Sequence, residues 1–358
     1  MFPLLLLTLI AAPPSGQIAF LSGDSGAPAC VVVYDLGTKS TRRVGQGRDD
    51  GPPVWSPRGD RLAFDSATPE GRGIYVVHAD GTRGRFLTHE SSWNVSPRWS
   101  PEGNRVAYAS GIGHESVIRV YNLDSDEEIT WGGNRTGLFR PVWVSGRLGA
   151  ELVGARDTEA GMAVRRFFRL SGNEEALLLA VGLQAAPKSM TTHVFCLTPD
   201  TATPLSDHIL DPQGTYEEWA VEPSRNGRNI AFDTNDGGDR EVFVYTQRGA
   251  HDASNHRAAD WNPVWSPDSK WIVFESLRSG RLGLYRVHYA TDRVLPVAVS
   301  DHADSASPSW APDGEAIAYV SDRLGPPHIF IADLKTGESR RLTTGNSREW
   351  APAWRPTN

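Results

Sequence analysis

Apolar stretches in this chain are short and evenly scattered. "RLAF" (61–64), "RVAY" (105–108), "WIVF" (271–274) and "AIAY" (316–319) are each set off by polar or turn-forming residues. Longer ones, such as "GIYVVHADG" (73–81), "EVFVYTQRG" (241–249) and "HIFIADLKTG" (328–337), mix β-branched with aromatic residues and run out into Asp, Thr or Gly. The pattern predicts many short β-strands joined by turns, and long apolar periods of the helical kind are few.

The strands recur in a fixed order. "PVWSPRGDRLAF" (53–64) returns as "PRWSPEGNRVAY" (97–108), "PVWSPDSKWIVF" (263–274) and "PSWAPDGEAIAY" (308–319), with weaker copies at 141–152 and 221–232. Trp55, Trp99, Trp143, Pro223, Trp265, Trp310 and Trp354 hold equivalent anchor positions, spaced 44, 44, 80, 42, 45 and 44 residues apart. Within one repeat, Pro-x-Trp is a first strand. Ser-Pro-Asp-Gly is a turn, because Pro presets φ and Gly accepts a positive φ. "RLAF" and its copies form a second strand. A variable loop leads to a third, and "GRFLT" or "SRRLTT" makes a fourth. Four short antiparallel strands repeating every 44 residues or so predict the blades of an all-β propeller.

The two ends divide one blade between them. "EWAPAWRP" (349–356) has a first strand with no second after it, and "GQIAFLS" (16–22) a second with no first before it. The N- and C-terminal strands are therefore expected to share a blade and close the ring. Dividing about 342 residues by a period of about 43 gives about eight blades. The count slightly favours eight over seven, with a degraded repeat near residue 183. Seven would need one 80-residue repeat across 143–222. There, "FFRLSGNEEALLLA" (167–180) and "HVFCLTPDTATPLSD" (193–207) both read as third-plus-fourth strand pairs.

The repeat P-x-W-S-P-D-G-x-x-I-A-F followed by I-F-I-A-D-L-x-T-G-x-x-R-R-L-T, clearest at 308–343, resembles the PD40, or WD40-like, repeat of TolB-type β-propellers. The resemblance covers about residues 17–358. It implies a single propeller preceded by a leader at 1–16. The repeats follow the leader directly, so the α/β domain that TolB carries ahead of its propeller is expected to be missing, as is any hydrolase domain of the prolyl oligopeptidase kind. The role implied is that of a non-catalytic scaffold binding a protein or peptide in the cell envelope.

The leader "MFPLLLLTLIAAPPSGQ" has an apolar run from Phe2 to Ile10 followed by small residues. It is too short to span a membrane and reads as an export signal, although it lacks the usual early Lys or Arg. A periplasmic or secreted monomer without membrane insertion is expected. With 36 Lys and Arg against 43 Asp and Glu, the net charge of −7 argues against a nucleic-acid partner. The two cysteines, Cys30 and Cys196, fall on blades far apart around the ring and are expected as free, buried thiols.

Little catalytic signal is present. "GDSGAP" (23–28) looks like the nucleophile loop of trypsin-like proteases, but it occupies the slot between second and third strands, and only 24 residues precede Ser25. It is a turn, since a triad is defined by geometry rather than by a short string. Ser206-Asp207-His208 and Ser300-Asp301-His302 place neighbours on opposite faces and form no triad. The segments joining a fourth strand to the next first strand are rich in His and Asp: His89, Asp207, His208, His251, His256, Asp301 and His302. Gathered at one channel mouth, they could hold a divalent metal and serve a metal-dependent carbohydrate lyase or hydrolase, which is the alternative reading. Trp93, Trp131, Trp219, Trp261 and Trp350 fall in or near the same segments and are candidates for an exposed partner surface.

Overall fold

The computed structural model describes residues 16–24, 26–88, 92–144, 177–185, 190–197, 199–204, 218–235, 238–246 and 249–357. These form seven four-stranded antiparallel sheets, or blades. Blade 1 contains β1 (Gln17–Gly23), β2 (Cys30–Asp35) and β3 (Ser40–Arg43). Blade 2 is β4 (Val54–Trp55), β5 (Arg61–Thr68), β6 (Gly71–His78) and β7 (Arg85–Phe86). Blade 3 is β8 (Asn94–Trp99), β9 (Arg105–Ser110), β10 (Val117–Asn122) and β11 (Glu127–Trp131). Blade 4 is β12 (Leu138–Val144), β13 (Leu177–Ala185), β14 (Met190–Leu197) and β15 (Ala202–Pro204). Blade 5 is β16 (Glu218–Pro223), β17 (Ile230–Thr234), β18 (Glu241–Thr246) and β19 (Gly249–Asp252). Blade 6 is β20 (Asp260–Trp265), β21 (Trp271–Ser276), β22 (Gly283–His288) and β23 (Arg293–Ala298). Blade 7 is β24 (Ser305–Trp310), β25 (Ala316–Ser321), β26 (His328–Asp333) and β27 (Ser339–Arg341). The last strand, β28 (Arg348–Trp354), pairs with β1 in the order β28-β1-β2-β3 and supplies the first strand of blade 1.

The count is seven, not the eight that the spacing favours. The long interval between Trp143 and Pro223 holds one blade. Its second strand begins at Leu177, and β13 pairs with both β12 and β14. The 32 residues 145–176, between first and second strands, lie outside the described residues and double the apparent period. "LLLA" (177–180) is thus part of a second strand, not half of a third-and-fourth pair.

The core lies between blades. Seven apolar clusters each join two consecutive blades, including one between blade 7 and blade 1 built from Ala316, Ile329, Ile18 and Trp354. A second strand therefore buries both faces. On β5, Leu62 and Phe64 face blade 1 while Ala63 faces blade 3. Alternation with period two sends neighbours to opposite sheets, which is why "RLAF" reads as continuously apolar.

The anchor tryptophans add a directional link. The indole Nε1 of Trp55 donates to the Ala353 carbonyl (2.9 Å), Trp99 to Val54 (3.2 Å), Trp143 to Arg98 (3.2 Å), Trp265 to Glu222 (2.9 Å) and Trp310 to Val264 (3.0 Å). Each acceptor is the residue just before the anchor of the preceding blade. At Pro223 the anchor has no indole, so blade 5 cannot make this bond to blade 4. A cavity of about 640 Å³ opens among these anchors and is lined by residues of all seven blades, so the first strands surround the channel. Within it the Glu222 carboxyl is pushed up to about 7 by enclosure, against the pull of the Arg98 guanidinium.

Cys30 is a free, buried thiol whose pKa is raised chiefly by that burial. The Cys196 side chain lies outside the described residues. Among the described residues no helix is long and apolar enough to cross a membrane.

Candidate partner-binding face

Antiparallel order sorts the connections. Turns from first to second and from third to fourth strand emerge on one face, the turn face. Loops from second to third strand, and from fourth strand to the next blade, emerge on the other, the loop face. "GDSGAP" is such a loop, closed by the Ala27 N–H donating to the Asp24 carbonyl at 3.0 Å; Ser25 itself lies outside the described residues.

The large exposed hydrophobic side chains gather on the loop face. Trp93 (46% exposed), Ile112 (69%), Leu277, Val299 and Leu324 (60%) are all in its loops, while Ile129 stands on outer strand β11. Trp93, Val95, Ala109, Ile112 and Phe139 line a shallow groove of about 240 Å³ between blades 3 and 4. Beside it the Arg72 guanidinium lies 5.9 Å from the Trp93 ring centroid and reaches Asp65 at 2.6 Å and Asp49 at 3.0 Å. The groove thus carries an apolar floor beside an ion-paired guanidinium that packs on the Trp93 ring.

Deeper in the same face, carboxylates tie first strands together. Asp233 pairs with Arg240 and accepts the N–H of Ala220 (2.6 Å) and of Asn262 (3.3 Å) in the next blade. Burial raises its pKa, and Arg240 opposes the rise. Glu275 accepts from Trp261 Nε1 (2.7 Å), Asn262 Nδ2 (2.9 Å) and the Ser307 N–H of the next blade (2.8 Å). Burial also pushes Glu241 up to about 7, with the Asp252 and Asp260 charges adding to the rise.

Of the five tryptophans expected at a partner surface, Trp93 is the exposed one. Trp219, Trp261 and Trp350 begin first strands at this face but are partly buried. Trp219 lies under the Arg240 guanidinium at 4.5 Å, and Trp350 packs on the cluster between blades 1 and 2. Trp131 corrects the expectation. It is 2% exposed and meets Trp143 edge-on at 5.7 Å, because the last residue of β11 turns into the core between blades 3 and 4.

The His and Asp candidates do not converge among the described residues. His89, Asp207 and His208 lie outside them. His256 stands in one loop and Asp301 and His302 side by side in another, all three exposed. His251 is a second correction. The turn at Gly249 (φ 111°) starts β19 early, so His251 lies on the fourth strand itself, paired with Val244, and its Nε2 is 3.3 Å from Asp292 Oδ1 on the turn face. No group of three metal-ligating side chains stands together among the described residues.

Sequence reasoning missed Ile112, Leu277, Val299 and Leu324. The available signal was a lone apolar residue inside a polar or Gly-rich loop, as in "GIGHES" and "DRLGPP".

Comparison with known proteins decides the family. Residues 4–188 match the model of the TolB beta propeller domain, PD40. The chain belongs to the TolB β-propeller family. A Protein TolB homolog of Chlorobium luteolum is 34% identical over 32% of this chain and 36% of its own length. A Tol-Pal system protein TolB of Francisella tularensis is 34% identical over 23% of this chain and 19% of its own. The match thus spans about a third or less of these relatives. The β-propeller domain of the Trilobed protease from Pyrococcus furiosus superposes with a TM-score of 0.66 at 12% identity, over 93% of this chain and 96% of that one; the likeness is one of fold.

Proposed function

We propose that this TolB-family propeller is an exported, non-catalytic scaffold that binds a protein partner of the cell envelope through its loop face. The observation that carries the reading is the concentration of exposed apolar side chains on that face, around Trp93 and Ile112. The Francisella relatives are named for the Tol-Pal system, which supports a Pal protein as the partner. The apolar leader supports export to the periplasm. The pairing of β28 with β1 supports a ring closed by its terminal strands, a rigid platform for such loops.

The test is surface plasmon resonance of the full chain against the soluble domain of the Pal protein from the same organism. Saturable binding is expected, weakened about tenfold or more in the double variant Trp93→Ala, Ile112→Ser, since a central aromatic anchor is worth about 2 kcal/mol or more. Absence of binding by the parent, or binding unchanged in the variant, overturns the proposal.

A further inference from the structure

The turn face carries a second cavity, on the side of the propeller away from the loop face. The position six residues after the anchor opens the second strand of a blade. In blades 2, 3 and 6 it holds Arg61, Arg105 and Trp271. Arg61 lies 5.1 Å from the Trp99 ring of the next blade, and Arg105 lies 5.3 Å from Trp143. In blade 5 the turn is "PSRNGRN" (223–229), and the position is Asn229. Blade 7 also has a small residue there, Ala316; in blade 6 the Trp265 indole packs on Tyr289 at 5.6 Å, and a cavity of about 830 Å³ opens between blades 5 and 6.

The walls are polar and specific. Asn229 is only 6% exposed, and its backbone is held by Ser224, yet its side-chain amide makes no hydrogen bond within the described residues. The amide faces the cavity, where it can bond water or a ligand. Asn226 Oδ1 accepts the Arg228 N–H at 2.9 Å, which leaves its NH₂ as a donor. Arg228 is exposed at the rim and has no acidic partner among the described residues. His251 and Asp292 face each other at 3.3 Å.

We infer that this cavity binds a small hydroxylated carboxylate, a ligand of the sugar-acid class. Its size suits one small molecule. Among the described residues that line it, Arg228 is the one arginine, without an acidic partner, and a guanidinium fork matches a carboxylate. Asn226, Asn229 and Tyr289 offer the mixed donors and acceptors that hydroxyl groups require. The Asp292 carboxylate at the same wall disfavours the second charge of a phosphate monoester.

Isothermal titration of the full chain with sodium gluconate and sodium glucuronate tests the inference, with glucose, acetate and inorganic phosphate as comparison ligands. At least one sugar acid should bind ten times or more tightly than glucose, acetate and phosphate. Arg228→Gln should weaken it tenfold or more, and Asn229→Leu should abolish it, with binding at the loop face unchanged. Melting curves run alongside separate loss of the site from loss of the fold. Should Asn229→Leu fail to fold, the exposed Arg228→Gln decides alone. No saturable sugar-acid binding, phosphate as the better ligand, or full affinity in Arg228→Gln overturns it.

Discussion

Asp65, Asp233 and Glu275 stand at the same place in their blades, ten residues past the anchor, where other blades carry Ala109 or Val320. Asp233 and Glu275 take N–H groups that first strands leave over, both across a blade boundary, whereas Asp65 holds the Arg72 guanidinium. Glu241 is different. Its carboxyl accepts from Ser254 at 2.5 Å but shares its surroundings with Asp252 and Asp260, and burial lifts it from 4.5 to about 7. The folded chain then holds this proton more tightly than the unfolded chain does, so the group lowers stability as pH rises from about 4.5 to about 7. Glu241→Gln keeps an acceptor for Ser254 and removes the charge. Urea titrations should show the variant more stable than the parent at pH 8, by on the order of 1–3 kcal/mol, and equal to it below about pH 4.5. A variant less stable than the parent at pH 8 would remove the argument. None of this was legible in the sequence. "FDT" and "FES" look like polar strand ends, and the distance to the next blade is set by packing.

At the scale of elements, the first strands share a distortion. Ser96, Arg140, Asn262, Ser307 and Ala351 all have φ between 50° and 57°, and their strands shift register against their neighbours near these residues or, in β28, close by. A bulge of this kind bends the strand around the channel. Left-handed backbone costs a non-glycine residue about 1–2 kcal/mol, so Ser96→Gly should stabilise the fold by about 0.5–1 kcal/mol once the added freedom of the unfolded chain is counted. Ser96→Val should destabilise it, and paired thermal melts check both signs. The strands themselves were easy to read, because Trp, the Ser-Pro-Asp-Gly turn and "IAF" recur in register. The bulges were not, because Ser, Arg, Asn and Ala share no side-chain signal for a positive φ. Trp131 was misplaced for a related reason: an aromatic at the end of a strand faces the core or the solvent according to the neighbouring blade, here through Trp143.

For the whole molecule, the propeller was legible and the number of its blades was not. Period arithmetic treats every long interval as a lost repeat, whereas the interval after Val144 separates two strands of one blade. The shared terminal blade was legible because each end carries the strand that the other lacks. Its last strand is held by more than backbone pairing. His328 Nδ1 and Glu349 Oε2 lie 2.7 Å apart in the interior, Thr343 donates to the same carboxylate, and Trp354 is buried between blades 7 and 1. A chain cut after Gly345 loses all of these. Its stability should fall by more than the roughly 3–5 kcal/mol that deleting one buried Trp costs, and size-exclusion chromatography should show association through the bared β1 edge. A monomer with an unchanged urea midpoint would show that β28 is dispensable.

The same seam sets a timetable for biosynthesis. About 330 residues separate β1 from β28 along the chain. At about 5–20 residues per second, a ribosome needs roughly 20–60 s to deliver the partner that β1 awaits. For that interval the first blade has three strands and one bare edge, and its face toward blade 7 stays uncovered until blade 7 is made. The contact that completes the molecule is therefore among the most distant in sequence that it makes, and folding cannot finish before synthesis nearly has.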